Sequence, residues 1–298
     1  MVKVTIGLPF HNNKKTIGAA VKSIFAQTFV DWELILVNDG SEDESHEIIM
    51  GIQDPRIKII NGGRRMGLSA RLNQISSLAA GKYIARMDAD DLMHPSRIER
   101  QVDFLDHHPE IDVVGTGAYS IDNNYRVVGV RKPCEISNIP LNILKQNVFI
   151  HPTIMGKTDW FKCNKYDSSF DRGEDHELWC RTYLNSKFAI LNEPLYFYRE
   201  IDVFNFNNYY KSGCAEIRII RRYGPNMVGK IMTHFLIARV LVKLIIYKLA
   251  NQFGLEYLLI RKRYNEPCSI KRAELQEIIT KIMRINVPGL VQNEELEI

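Results

Sequence analysis

Several things are scarce or missing in this chain of 298 residues, and each absence excludes something. Its five cysteines (Cys134, Cys163, Cys180, Cys214 and Cys268) are scattered, odd in number and never spaced C-x-x-C. A disulfide framework or zinc ribbon is therefore not expected, and a reducing compartment is favoured. No stretch of about 18 uncharged apolar residues occurs, so no membrane span is expected. Met1-Val2-Lys3-Val4-Thr5 runs straight into a strand and does not read as a signal peptide. There is no internal repeat and no low-complexity tract. The first turn, Gly7-Leu8-Pro9-Phe10-His11-Asn12, lacks the G-x-G-x-x-G of a dinucleotide fold. Gly62-Gly63-Arg64-Arg65-Met66-Gly67-Leu68-Ser69 has the glycine spacing of a P-loop, but Leu68 stands where the lysine must be. Acid is also missing locally. Between Glu216 and Glu256 there is none, against seven bases: Arg218, Arg221, Arg222, Lys230, Arg239, Lys243 and Lys248. Of 39 basic residues, 32 remain elsewhere against 35 acidic, so the whole basic excess belongs to that segment.

What is present reads as an α/β protein. Val2–Pro9, Trp32–Asn38, Ile57–Ile60 and Tyr83–Met87 are near-continuous apolar runs, as expected of strands covered on both faces. Between them, Thr16–Gln27, Ser45–Gln53, Leu68–Ala80 and Pro95–His108 carry apolar residues at helical period. That alternation predicts a mostly parallel, doubly wound sheet. From Asp112 the texture changes. Val113–Ile121, Tyr125–Arg131 and Phe188–Arg199 read as strands, His151–Lys157 as a short extended run, and Ile136–Gln146 and Asp175–Ser186 as helices. Beyond Asn205 the chain is predicted helical to about Arg263 and again over Lys271–Arg284, with Asn205-Phe206-Asn207-Asn208 as a linker.

The chain is organised around Ile84-Ala85-Arg86-Met87-Asp88-Ala89-Asp90-Asp91, where an apolar strand ends in three carboxylates within four residues. Ligands of open α/β sheets bind at the carboxyl edge of the strands. Crowded carboxylates call for a cation, and Mg²⁺ is held by one or two of them plus substrate phosphates. Asp88 and Asp90 are thus candidates for a metal and diphosphate site; a solvated acidic turn, with Asp91 capping the next helix, is the alternative. Asn38-Asp39-Gly40-Ser41 ends another strand at the same edge. It is either a turn with a cap or a place where Asp39 accepts hydrogen bonds from a base or ribose. Glu174-Asp175 opens a helix. Asp171-Arg172-Gly173-Glu174 fits a capping box, yet Asp175 could also be a general base. The helix terminus would lower its pKa, and Glu174 and a bound diphosphate would raise it. His176-Glu177-Leu178-Trp179-Cys180 misses the zinc-protease H-E-x-x-H by its last residue; a helix with His176 and Glu177 exposed and Trp179 packed explains it.

Four blocks in this order resemble the inverting family 2 glycosyltransferases: Ile6–Asn12, Leu34–Ser41, Ala85–Asp91 with His94-Pro95-Ser96-Arg97, and Arg172–Trp179. The resemblance covers about Val2 to Arg199. It implies a GT-A fold, with residues 1–204 as catalytic domain (1–111 binding the nucleotide-sugar, 112–204 facing the acceptor) and 205–298 as a helical extension. It implies a nucleotide-diphospho-sugar donor, usually a UDP-sugar, with Mn²⁺ or Mg²⁺. By position, Asp39 would hold the base, Pro9 and Arg71 would line its pocket, Asp88 would lie near the ribose, Asp90 would bind metal and Asp175 would be the catalytic base. His11 stands where many members have a tyrosine that stacks on the base. The Q-x-x-R-W signature of processive synthases is absent, so transfer of one sugar to a saccharide or lipid-linked acceptor is expected, in surface polysaccharide or glycolipid assembly. The competing readings are a sugar nucleotidyltransferase, whose glycine-rich basic first loop is missing, and a non-catalytic membrane-bound scaffold that keeps the fold.

The basic segment holds Phe235–Tyr247, strongly apolar and charged only positively. On an ideal helix Lys230, His234 and Lys248 lie on one side and Arg239 and Lys243 nearly opposite, which is not a clean amphipath. Long basic side chains can snorkel, and basic apolar helices bind anionic membranes. Peripheral attachment at the inner face of the cell membrane, in the cytoplasm, is one expectation, and a buried subdomain or oligomer contact is the other. Nucleic acid is not expected, since these cations do not line a polar groove.

Overall fold

The computed structural model describes residues 2–132, 139–200, 205–254 and 269–291. β1 (Val4–Phe10), β2 (Trp32–Asn38), β3 (Ile57–Asn61) and β4 (Tyr83–Arg86) pair in parallel in the order β3-β2-β1-β4. β1 and β2 are buried along their whole length. α1 (Ile17–Phe25), α2 (Ser45–Met50) and α3 (Leu68–Leu78) are the connecting helices, so this half is the doubly wound unit that the apolar runs predict.

The sheet then changes character. β8 (Met155–Lys157) joins β4 antiparallel, and β6 (Val113–Ile121) joins β8 antiparallel. β9 (Phe188–Arg199) runs parallel to β6, while β7 (Val127–Arg131) runs antiparallel to it. β5 (Leu92–Met93), too short to read from the sequence, pairs antiparallel with β9. β4 and β5 are therefore far apart in strand order, yet only residues 87–91 separate them along the chain. The sheet curls, and the acidic turn is the crossing that its curl permits.

α4 (Arg97–His107), α5 (Pro140–Lys145), α6 (Thr158–Cys163) and α7 (Glu174–Thr182) complete the α/β part of the chain. Three details depart from expectation. Residues 151–153 form a single 3-10 turn before β8 rather than extended chain, because Pro152 favours the first turn of a helix. α6 was not foreseen. The predicted linker is instead the start of α8 (Phe206–Gln252), with Asn205 as its cap: the Asn205 side chain accepts from the Asn208 amide. The predicted starts and ends that fall at 133–138, 201–204 and 255–268 lie outside the described residues.

α8 is two antiparallel arms, residues 206–228 and 230–252. They meet at Gly229, whose φ of 80° suits only glycine. The Tyr209 ring stacks on Tyr247 at 4.0 Å, Leu244 fills the space over Gly213, and Thr233 packs on Gly224. Ile219 and Ile220 of the first arm are buried in the core that surrounds α7. α9 (Ser269–Met283) lies elsewhere, its Leu275, Ile279 and Ile282 packed with Tyr119, Tyr125 and Phe197. The helical extension thus covers two different faces of the catalytic unit. Among the described residues no helix is long and apolar enough to cross a membrane.

One bond pins the hairpin to α7. Tyr223 donates its hydroxyl to the Glu177 carboxylate, which is fully buried and also bound by Arg181. Tyr223→Phe leaves a buried acceptor short of a donor, which costs about 1–3 kcal/mol. The urea midpoint should fall by that amount with an unchanged slope.

Candidate active site

The parallel register sets the carboxyl ends of β1, β2 and β4 side by side. Phe10 pairs with Asn38, and Gly7 with Arg86. His11, Asp39 and Asp88 therefore follow one edge of the sheet, as the motifs require. Pro9 lies within β1, opposite Val37, and is buried. His11 is half-buried, and its Nδ1 has no hydrogen-bond partner among the described residues.

Asp39 is buried and already busy. Its Oδ1 accepts from the Met66 amide (2.7 Å) and Arg71 Nε (2.7 Å), and its Oδ2 from the Gly67 amide (2.9 Å). Arg71 spends its guanidinium on Asp39, Gln74 and the carbonyls of Gly62 and Arg64. Arg71 is thus a fastener under the loop 62–67 rather than a free donor in a pocket. A carboxylate offers about four acceptor positions, so Asp39 keeps one for a ligand.

The acidic turn is neutralised by arginines the motif reading did not assign. Arg86 is fully buried and grips Asp88 with both ends of its fork (2.8 and 3.2 Å), and burial does not strip its proton because Asp88 and Glu174 hold it. Arg199, the last residue of β9, donates its amide to Asp91 (2.6 Å) and its Nε to the Asp90 carbonyl (2.7 Å). Arg97, pushed down to about 10 by burial and still protonated at neutral pH, donates to the carbonyls of Arg86 and Ile154. Asp91 points inward and is buried on Arg199, so it does not cap α4; the residue at that cap is Ser96.

Asp88, Asp90 and Asp91 present carboxylate oxygens within 4.8 Å of one another. No side chain donates a hydrogen bond to Asp90 among the described residues, and burial, then Asp88, raises its pKa to about 6. An all-oxygen set with one unsatisfied carboxylate fits a hard divalent cation. Asp88 and Asp90, the partly exposed pair, would hold it.

A second group sits nearby. Glu174 and Asp175 open α7, and His151 from the 3-10 turn lies with them inside 4.8 Å. Gly173, in the left-handed region at φ 72°, is the N-cap, and no side chain caps this helix; the predicted capping box does not form. Burial raises Glu174 to about 7, with Asp175 adding to it, and burial raises Asp175 as well. Opposing forces on Asp175, including the amide of His176 at the helix terminus, are the weaker ones. His151 is driven neutral by burial; its Nε2 meets the Tyr166 hydroxyl at 2.9 Å. Arg86 links the two groups electrostatically, bonded to Asp88 and attracting Glu174.

His176 and Glu177 are buried, contrary to the expected exposed helix face. His176 Nε2 bonds the Ile143 carbonyl at 2.8 Å, and Trp179 packs against Phe149, Trp160 and Phe188. His176 and Cys180 belong to no cluster of metal-ligating side chains among the described residues, and both turn to the Ile143 carbonyl.

The family model for "Glycosyl transferase family 2" matches residues 5–166, more than half of the chain. The chain belongs to glycosyl transferase family 2. It is 33% identical over 196 residues to an uncharacterised glycosyltransferase of Methanocaldococcus jannaschii, covering 64% of this chain and 68% of that one. It is 27% identical over 191 residues to the UDP-Glc:alpha-D-GlcNAc-diphosphoundecaprenol beta-1,3-glucosyltransferase WfgD of Escherichia coli, covering 63% and 73%. Among solved structures it resembles S. aureus TarS, crystallised with UDP (TM-score 0.59, 19% identity, 80% and 70% covered) and with UDP-GlcNAc (TM-score 0.60, 18% identity, 80% and 71% covered). That likeness carries the GT-A fold.

The raised carboxyl has a measurable consequence. Folded Glu174 holds its proton to about pH 7, whereas the ordinary value is 4.5. Its contribution to stability is fully present below the lower value and lost as pH rises through the upper one. Glu174→Gln removes this dependence. Urea melts should show the variant gaining on wild type by roughly 1–3 kcal/mol between pH 5 and pH 8. A gap that stays flat would refute the shift.

Proposed function

We propose that this glycosyltransferase is metal-dependent and inverting, and moves one sugar from a nucleotide-diphospho-sugar, a UDP-sugar, to the hydroxyl of a lipid-linked saccharide acceptor. Its role would be in surface polysaccharide or glycolipid assembly, at the inner face of the cell membrane. The observation that carries the reading is the convergence of two carboxylate groups on one buried arginine. Arg86 is bonded to Asp88, and its charge also reaches Asp90, Glu174 and Asp175. A donor diphosphate would meet the first pair and an acceptor hydroxyl the second. The names of the relatives agree, since WfgD carries a UDP-glucose donor and a diphosphoundecaprenol acceptor in its name, and TarS was crystallised with UDP-GlcNAc.

A Mn²⁺ or Mg²⁺ held by Asp90 and Asp88 would supply positive charge against the leaving diphosphate. Asp39 would accept from the base with its remaining lone pair, beside Pro9 and His11, and Arg71 would keep that carboxylate in position. Asp175 takes the acceptor hydroxyl's proton. Its raised affinity for that proton suits a general base working near neutral pH. The acceptor oxygen attacks the anomeric carbon from the face opposite the diphosphate. The bond to the diphosphate oxygen breaks with its electron pair, and the configuration inverts. His151 and Tyr166 back the Glu174 side of this pair and keep solvent from it.

Calorimetric titration of UDP with and without Mn²⁺ tests the donor site. Binding should depend on the metal in wild type and lose that dependence in Asp90→Ala. With a bound UDP-sugar and a lipid-linked acceptor, Asp175→Asn should lower kcat by about 10²–10⁴-fold while leaving UDP binding intact. Donor binding without any turnover, and no effect of Asp175→Asn, would return the protein to the scaffold reading.

A further inference from the structure

The second arm of the hairpin has two apolar sides. At 3.6 residues per turn, Thr233, Leu236, Val240 and Leu244 fall on one side, and all four are buried. Ile231, Phe235, Val242, Ile245 and Leu249 fall on the roughly opposite side, and all five are exposed, Ile231 at 91% and Phe235 at 63%. Phe253, 73% exposed, extends the outward stripe past the helix end. The cations occupy the seams between the two sides. Lys230 and Lys248 lie along one margin of the stripe, and Arg239 and Lys243 along the other. Arg239 is tied to Glu216 of the first arm, whereas the three lysines are exposed. No acidic residue occurs anywhere on this arm.

Contiguous outward apolar stripes are rare on monomeric soluble proteins and mark an interaction surface. The rim of this one decides the kind of partner. An apolar strip bordered on both long edges by flexible lysines, with no acid between, matches a bilayer interface. The strip enters among the acyl chains, and the ammonium groups reach back to lipid phosphates. A protein groove would not require one sign of charge along both margins. We infer that the outward face of residues 230–252 is a docking surface for an anionic lipid bilayer, with the arm lying in the membrane plane and the first arm as its bracket to α7. This deepens the proposed lipid-linked acceptor and rests on that reading only for why such docking is useful.

The test is flotation of the full chain with vesicles of phosphatidylcholine alone or mixed with phosphatidylglycerol, with UDP titration run in parallel. Wild type should float with the anionic vesicles, at least about tenfold more than with neutral ones, and less at high salt. Phe235→Glu with Ile245→Glu should abolish flotation while UDP binding and the urea midpoint stay unchanged. Lys230→Glu, Lys243→Glu and Lys248→Glu together should abolish the preference for anionic lipid. Two results would overturn the inference. One is a wild type that stays at the bottom of the gradient, whether monomeric or as a dimer dissolved by the paired glutamates, the latter marking the face as a protein contact. The other is flotation indifferent to the glutamates. Normal flotation without UDP binding would leave the docking surface standing and remove the donor proposal instead.

Discussion

The ion pair between Arg86 and Asp88 is the constraint around which the catalytic half is arranged. A buried charge is costly to desolvate and survives only where partners surround it. Arg86 is an arginine at the end of an otherwise apolar strand, and groups from several elements surround it. Asp88 supplies a two-pronged carboxylate, and Glu174 supplies charge from α7. Arg97 reaches from α4 to fix the Arg86 carbonyl. Remove that guanidinium and Asp88, Asp90, Glu174 and Asp175 lose the cation whose charge they share. Replacing a buried ion pair by apolar residues is often neutral or stabilising, so stability alone does not account for this arrangement. The proposed reaction, in which the site meets a diphosphate and takes a proton from an acceptor hydroxyl, does account for it.

The topology serves the same end. β9 must run parallel beside β6 and pair with β5 for Arg199 to reach Asp90 and Asp91. The antiparallel insertion of β8 between β4 and β6 lets the sheet curl enough to close that turn. Polar groups around the turn remain unpaired. Arg86 Nε, Arg97 Nη1, Arg199 Nη2 and Asp91 Oδ2 are buried without a hydrogen-bond partner among the described residues. Such violations of ordinary polar satisfaction collect where function overrides local rules.

How much of this the sequence discloses follows from the range of each interaction. The parallel half is legible because each strand is a long apolar run whose neighbours follow in order. β5, of two residues, and the 3-10 turn at His151 carry no periodic signal and exist through pairing with distant chain. Asp39, Asp88 and Asp90 stand out because acids end apolar segments, and Asp175 because an acidic pair opens a helix; the structure brings Asp88 and Asp90 near the Glu174–Asp175 pair, all within reach of the charge of Arg86. Arg71 is expected from the resemblance to line the base pocket, but only the fold shows that its donors are consumed by Asp39, Gly62, Arg64 and Gln74. Arg199, His151 and Tyr166 had no local signal, since their partners are far away in the chain. Arg86 did have one: a charge at the end of a buried strand asks for a counter-ion, and the next charge along is Asp88.

The hairpin shows the same limit in another form. Periodicity identifies an amphipathic helix when apolar residues collect on one side. The second arm has apolar residues on two opposite sides, one for the first arm and one for the exterior. In a one-dimensional reading the two stripes cancel, and the four cations in the seams look scattered around the whole helix. Once the Gly229 turn folds one stripe against Gly213 and Gly224, the seams become margins and the remaining stripe acquires a direction. The first arm then joins that surface to the chemistry: Ile219 lies against Gly173 at the start of α7, and Tyr223 holds Glu177 one turn further along. The helix that presents Asp175 is thus held by the same hairpin whose outer arm carries the basic apolar stripe, so the Glu174–Asp175 pair and that stripe belong to one mechanically continuous unit.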